Sequence, residues 1–244
     1  MKVFRLFLML PLVASSIFHI TPAYGGFEDL LKGVQKAVGL GGGVSETKVV
    51  EGLKEALHIG TENAIKIVSQ VGGYSANPAI KIPLPKAVKK VEPALRMVGY
   101  GKQLDAFETS MNRAAETAAP KAKAIFWDAI KGMNISDARK ILQGKDNAAT
   151  QYFKEKTYGR LNEIFKPIVH ETMSQVGVTR RYQDLETKVR SMPFTENLGF
   201  DLDEYVDKGA LEGLFYMLAQ EEKKIRQDPA ARVTDLLKEV FGGK

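Results

Sequence analysis

Apolar side chains recur every three or four residues along most of this 244-residue chain. That spacing puts them on one face of an α-helix, whereas a half-buried strand would need strict alternation of apolar and polar residues. One such stripe follows Ser45, a residue type that caps helix N-termini, and runs to about Val71. Another accompanies a helix expected over about residues 103–131. The spacing therefore predicts an all-α fold, a multi-helix bundle-like domain that occupies residues 45–244.

Two of the expected helices also carry a stripe of small residues at every fourth position. These residues are Gly52, Ala56, Gly60 and Ala64 in the first helix, and Ser110, Ala114, Ala118 and Ala122 in the second. Small side chains let two helix axes approach to the short end of the usual range of about 8–10 Å. We therefore predict that these two helices cross each other closely.

Prolines interrupt the helical pattern in two places. Within residues 77–85, Ile80, Ile82 and Leu84 alternate with other residues, while the prolines exclude both a helix and a central strand. This segment is expected to be an extended proline-containing arm that lies across the helices. Further along, Pro167 is expected to kink or split the helix that follows Asp146.

The first 25 residues have the pattern of a cleaved secretory signal peptide. Lys2 and Arg5 form a basic head, an apolar run follows over residues 6–13, and small residues precede a cleavage point after Gly25. Cleavage would leave no transmembrane span in the mature protein, which is expected to be soluble in the bacterial periplasm. The chain contains 0 Cys, so it cannot rely on disulfides in that compartment.

Residues 26–44 are expected to be a short amphipathic arm and a Gly-rich hinge. Apolar residues keep helical spacing over residues 27–38, and the glycines at 39–43 follow directly. Acidic Glu28 and Asp29 offset the nearby lysines, so this arm is expected to dock on the main body of the protein rather than on a membrane.

The charge of the chain is modest and spread out. The formal net charge is +6, and loss of Lys2 and Arg5 with the signal peptide would lower it to +4. Basic residues form only small groups, without the interleaved aromatic residues of a nucleic-acid platform. No nucleic-acid partner is therefore expected, and the basic residues are interpreted as a solvated surface.

Five short blocks of sequence together resemble a known family, domain-of-unknown-function family 4197, which comprises exported bacterial helical proteins. The blocks are Gly52-Leu53-Lys54-Glu55-Ala56-Leu57 with Gly60-Thr61, Ile82-Pro83-Leu84-Pro85, Met111-Asn112-Arg113-Ala114-Ala115-Glu116, Asp146-Asn147-Ala148-Ala149-Thr150-Gln151-Tyr152-Phe153, and Glu221-Glu222-Lys223-Lys224-Ile225-Arg226-Gln227-Asp228-Pro229. The resemblance implies an envelope location and a helical fold. It supplies no catalytic residue to carry over.

The sequence predicts no metal site and no cofactor. Glu55 and His58 form one Glu-x-x-His element of the kind used by di-iron bundles, which need two copies. His170 lacks a glutamate three residues before it, so the second copy is missing. The acidic stripe around His58 is interpreted as a solvated helix face.

The polar residues most suggestive of function lie among apolar neighbours in two helices. Glu221 comes four residues after Met217, so its carboxylate is expected to point toward the core. Glu222 and Arg226 have the spacing of an i,i+4 ion pair.

In the other helix, Asn112 and Glu116 share a face and Arg113 can reach Glu116. If Arg113 or Arg226 meets carboxylates across the interface between the two helices, a single buried polar cluster results. We interpret such a cluster as structural more readily than catalytic, because ion-pair networks perturb pKa values as active sites do.

Three classes of function remain open. The favoured one is a non-catalytic periplasmic binding module for an apolar or lipid-like ligand or an envelope protein partner, which predicts a cavity or an exposed apolar patch. The second is a hydrolase or lyase that uses the carboxylates of Glu116, Glu221 and Glu222, which must then lie in an open cleft. The third is a structural envelope protein that self-associates. The oligomeric state is not determined by the sequence.

Overall fold

A computed structural model describes residues 46–175, 177–191 and 201–227 of the chain. The expected signal peptide, the amphipathic arm with its hinge, and Ser45 lie outside the described residues, as does the chain beyond Gln227. The described helices are α1 (Glu46–Val68), α2 (Lys86–Met97), α3 (Gly101–Ala118), a 3-10 turn (Ala119–Lys121), α4 (Ala122–Lys131), α5 (Ile135–Gln143), α6 (Ala148–Gln175), α7 (Val178–Arg190) and α8 (Leu202–Gln227).

The all-helical fold class is confirmed, since the described residues contain helices and no strand. Residues 81–85 belong to neither, and Ile80, Ile82 and Leu84 are all buried at 6% exposure or less. The alternating apolar residues of this segment therefore contribute to the core, while its extended conformation stays a prediction. No helix among the described residues is both long and apolar enough to cross a bilayer.

The long helices α6 and α8 form the centre of the bundle. They pack against each other, α8 also packs against α1 and α3, and α6 also packs against α3, α4, α5 and α7. Phe153, Phe165 and Leu211 are completely buried there. Each long helix thus has apolar neighbours on several sides, which is what a core of this kind needs.

The predicted crossing of the two helices that carry small-residue stripes is found in part. α1 packs against the 3-10 turn and α4, the second half of the helix expected over residues 103–131, whereas α1 and α3 are not packed neighbours. At Gly60 the stripe on α1 faces α8. A side-chain carbon added at Gly60 would lie 3.3 Å from the Ile225 side chain and 3.7 Å from that of Glu221. The small residues do permit a close helix contact, but their sequence spacing does not specify which helix makes it.

The helix expected over residues 103–131 is two helices joined by a 3-10 turn at Ala119–Lys121. Pro120 lies in that turn, and proline lacks the N–H that a continuous helix would need there. By contrast, α6 is a single helix with Pro167 inside it, so of the expected kink or split the split does not occur. Phe165 and Val169 on either side of the proline are fully buried, and this packing holds the two halves of the helix together.

Candidate functional site

The six polar residues singled out by sequence do not form one cluster. Asn112, Arg113 and Glu116 hold the segment between α1 and α2, while Glu222 and Arg226 close the start of α6. Each arginine pairs with a carboxylate on its own helix. The contact across the helix interface that a single cluster would require is therefore not seen among the described residues.

Helix geometry explains the separation. Ile82, the partner of Asn112, packs against Gly209 near the start of α8, whereas Glu222 lies near its end. The two positions are 13 residues apart in the sequence of α8, which corresponds to about 20 Å along the axis.

Asn112 holds the segment around Ile82 by its backbone. Its side-chain oxygen accepts the Ile82 N–H at 2.8 Å, and its side-chain nitrogen donates to the Ile82 carbonyl at 2.8 Å. The same nitrogen donates to the Glu108 carbonyl at 2.8 Å, and Asn112 is 0% exposed. A buried backbone N–H or carbonyl without a hydrogen-bond partner destabilises the fold. The Asn112 amide bonds both groups of Ile82, as a neighbouring β-strand would.

Glu116 binds the turn that follows α1. One carboxylate oxygen accepts the N–H groups of Gly72 at 3.1 Å and Tyr74 at 3.2 Å, and the other accepts from Arg113 at 3.2 Å. Gly72 has φ +87°, a backbone conformation that favours glycine. Burial and the nearby Glu116 carboxylate raise the pKa of Tyr74, whose hydroxyl donates to the Ala210 carbonyl at 2.6 Å. Glu116 thus fixes the turn.

Glu222 caps the N-terminus of α6 from another helix. Its two oxygens accept the N–H groups of Ala149 at 2.9 Å and Thr150 at 2.8 Å, which are free in the first turn of any helix. The negative charge also complements the positive end of the helix dipole. Arg226 donates to Glu222 at 2.8 Å and to the Ile141 carbonyl of α5 at 3.0 Å. The i,i+4 pair forms, and both side chains are 5% exposed.

Glu221 has different partners from its neighbour. Its carboxylate accepts from Asn63 of α1 at 3.2 Å and from Lys224 of its own helix. Glu116, Glu221 and Glu222 are exposed by 2%, 4% and 6% respectively. The two cavities beside Glu222 have volumes of about 20 and 10 Å³, large enough for at most a water molecule. The carboxylates therefore do not share an open cleft of the kind that a hydrolase or lyase would need.

A larger concave surface lies elsewhere, between residues 79–83 and α8. This groove has a volume of about 440 Å³. Helix α8 contributes the side that carries Tyr205, Lys208, Gly209, Glu212, Gly213 and Tyr216. The Tyr205 hydroxyl donates to the Pro83 carbonyl at 3.0 Å and so ties the two walls together. We call this feature the α8 groove.

Two glycines allow the walls of the α8 groove to approach each other. A side-chain carbon at Gly209 would lie 3.0 Å from the Ile82 side chain, and one at Gly213 would lie 2.5 Å from the Tyr74 ring. Any larger residue at Gly213 would displace a fully buried ring. This pair was not predicted from the sequence, although its four-residue spacing is a signal of close packing.

A second groove of about 360 Å³ lies between α4, α5 and α6. Its charged residues balance one another, since Arg160 pairs with Asp128 at 3.3 Å and Asp137 takes part in the N-terminal cap of α5. Burial raises the pKa of Tyr152 at its edge. With both carboxylates already engaged, this groove has no obvious preference for one ligand charge.

The family model described as "Protein of unknown function (DUF4197)" matches residues 43–242. The chain belongs to the DUF4197 family. The resemblance inferred from the five sequence blocks is thereby confirmed, and both the α8 groove and the six polar residues lie inside the matched region of this DUF4197 protein. Neither the curated proteins nor the solved structures include one that matches the chain.

Metal chemistry finds no support in the described part of this DUF4197 chain, where no three potential metal ligands come together. His58 packs instead against Trp127, with ring centroids 5.0 Å apart. Burial lowers the pKa of His58, so the neutral ring is favoured at that interface.

Asp207 is a buried acid that sequence reasoning missed. It is 1% exposed, and one of its oxygens accepts from Asn162 at 2.8 Å. The other oxygen has no hydrogen-bond partner within the described ranges. Burial raises the pKa of Asp207 to about 6, with Glu204 acting in the same direction and Lys166 against it. The ionised carboxylate is therefore destabilising in the folded DUF4197 domain.

We expect Asp207→Asn to stabilise the protein at neutral pH. Between the unfolded pKa near 4 and the folded value of about 6, the folded chain holds a proton that the unfolded chain has lost, so wild-type stability falls as pH rises. Asparagine does not ionise. The free energy of unfolding of the variant should therefore exceed that of the wild type by about 1–3 kcal/mol at pH 7 and by almost nothing at pH 4. Urea denaturation across this pH range measures the effect, with the exposed Asp184→Asn as control. Equal gains at both pH values would contradict the assignment.

Proposed function

We propose that this DUF4197 protein is a non-catalytic binding module of the bacterial envelope, and that the α8 groove takes a lipid-like amphiphile. The signal-peptide pattern of residues 1–25 supports the envelope location. The observation that supports the ligand is the α8 groove itself, whose volume of about 440 Å³ lies within the range usual for small-molecule sites. The buried glutamates favour this function over carboxylate catalysis, because each is already bonded inside the fold.

The shape of the α8 groove suits an elongated apolar body. Tyr205 and Tyr216 lie at its two ends, and their separation of 11 positions corresponds to about 16 Å along the helix. Gly209 and Gly213 let residues 79–83 lie close against α8, and the exposed Ala79 and the two tyrosine rings provide apolar surface along the groove. An acyl chain could therefore lie along α8 between the two tyrosine rings.

Charged groups on the rim of the α8 groove suit a polar head. Lys208 and Glu212 are one helical turn apart on this rim, and both side chains are exposed. Lys81 also lines the groove and is held by Glu108 at 2.6 Å. A ligand with an apolar tail and a polar or zwitterionic head matches this distribution better than a purely apolar one.

Native mass spectrometry of the protein purified from its own envelope tests the proposal, together with titration of a fluorescent fatty acid into the delipidated protein. Ala79 is exposed on the groove wall, so Ala79→Trp should obstruct the groove and lower affinity for the probe at least tenfold. Ala124→Trp places the same ring at an exposed site on α4 and should leave affinity unchanged. A clean ligand-free protein that does not take up the probe, or equal binding by both variants, would overturn the proposal.

A further inference from the structure

The corner between α2 and α3 exposes two consecutive apolar side chains. Met97, the last residue of α2, is 89% exposed, and Val98 is 54% exposed. Gly99 follows with φ +89° and turns the chain toward α3. Side chains as exposed as these protrude from a convex surface, so they cannot be the floor of a small-molecule pocket.

Positive charge is concentrated around this corner. Residues 86–102 contain five basic residues, Lys86, Lys89, Lys90, Arg96 and Lys102, and one acidic residue, Glu92, which gives a formal charge of +4 in a chain whose total is +6. Residues 86, 90, 93 and 97 follow helical spacing, so two lysines, Pro93 and Met97 share one exposed face of α2.

Both acidic residues near the corner are ion-paired with Arg96. Arg96 donates to Glu92 at 2.9 Å and to Asp105 of α3 at 2.8 Å. From α7, Lys188 lies over the Tyr100 ring with its nitrogen 5.4 Å from the centroid, and so adds another cation.

The lysine side chains of the corner are not ion-paired within the described residues. Across the described residues, Lys86, Lys89, Lys90 and Lys102 form no ion pair, and α3 is the one helix against which α2 packs substantially. The cationic face of α2 is therefore open to a partner.

We propose that this corner docks on the surface of an anionic phospholipid bilayer. Met97 and Val98 enter the interface between headgroups and acyl chains, and the four lysines lie over the lipid phosphates. A convex apolar tip surrounded by lysines needs no complementary cavity in its partner, and a fluid bilayer surface meets that condition better than a folded acidic protein does. Anionic headgroups supply the charge that the corner lacks. Docking here is independent of any ligand in the α8 groove.

Cosedimentation with vesicles tests the proposal. The protein is expressed at full coding length, so that any leader is processed as in the cell, and is mixed with vesicles of equal parts phosphatidylglycerol and phosphatidylcholine, or of phosphatidylcholine alone. We expect binding to the anionic vesicles that weakens as salt is raised. Each lysine near an anionic bilayer raises the partition coefficient about fivefold. Lys89→Gln with Lys90→Gln should therefore lower the partition coefficient about 25-fold. Met97→Ser with Val98→Ser should lower it about tenfold or more.

Matched variants separate docking from general effects of charge. Lys140 and Lys145 are exposed on or beside α5, which packs against neither α2 nor α3, so Lys140→Gln with Lys145→Gln removes the same charge elsewhere. This control, Ile135→Ser, and Ala79→Trp in the α8 groove should all retain binding close to wild type. Absence of binding to anionic vesicles, or an equal loss in both lysine pairs, would overturn the proposal. Full binding by the Met97 and Val98 variant would overturn the insertion of these side chains.

The absence of cysteine from the chain permits a direct measurement of insertion. Val98→Cys carries a single environment-sensitive fluorophore at the corner, and Ile135→Cys, at a site that is 49% exposed, carries the same label on α5. Anionic vesicles should shift the emission of the first to the blue and leave the second unchanged. Equal shifts at both sites, or none at either, would contradict docking through this corner.

Discussion

Glu222→Ala should lower the free energy of unfolding by about 3–5 kcal/mol, the largest loss expected of any single substitution considered in this protein. The change removes the acceptor for two backbone N–H groups of α6 and for the Thr150 hydroxyl. It also removes the Glu222 carboxylate from the buried Arg226 guanidinium, whose side chain is 5% exposed. Urea denaturation followed by far-ultraviolet circular dichroism measures the loss.

A surface pair provides the matched control for Glu222. Glu186 and Arg190 in α7 have the same i,i+4 spacing at 3.0 Å, but the arginine side chain is 61% exposed. Glu186→Ala should therefore cost about 0.5 kcal/mol or less. If the two alanine variants lost similar amounts of stability, burial and the cap on α6 would not be what makes Glu222 important.

Asn112→Ala should lower the free energy of unfolding by about 2–4 kcal/mol, because it leaves both the N–H and the carbonyl of Ile82 buried without a partner. Hydrogen exchange should show the change locally, as a loss of protection over residues 80–84. The α8 groove should widen at the same time, since its wall around Ile82 is held by this side chain.

Asn63→Ala is the control for Asn112. Asn63 also donates its side-chain amide across a helix interface, to Glu221 at 3.2 Å, but it is exposed to solvent. Its loss should cost less than about 1 kcal/mol. Unchanged exchange over residues 80–84 in Asn112→Ala would show that the segment does not depend on this amide.

Helical periodicity was enough to predict the fold class, because apolar spacing reports which face of each helix is buried. It could not predict which helix each stripe of small residues faces. Gly60 lies in a stripe of small residues that fits a close contact with any helix, and its contact with Ile225 depends on the packing of the whole bundle. Pro167 shows the same limit, because a local preference against helix is outweighed by buried neighbours on both sides.

Helix α2 was not predicted, because Pro93 and a run of lysines mask its periodicity and only Val88 and Leu95 are buried. The buried polar residues were found because a charged residue among apolar neighbours stands out in sequence. Their hydrogen-bond partners could not be predicted, because backbone N–H and carbonyl groups carry no sequence signature. Glu222 shows this clearly: Arg226 was predictable at four residues' distance, whereas the N–H groups of Ala149 and Thr150 were not.

The cap on α6 also bears on when this helix can be completed during synthesis. Ala149 receives its hydrogen-bond acceptor from a residue 73 positions further along the chain. A nascent or truncated chain that ends before residue 222 therefore has an open first turn in α6 and lacks the contact that Arg226 makes with the last turn of α5. The junction of α5, α6 and α8 is consequently expected to form late and to open as one cooperative unit.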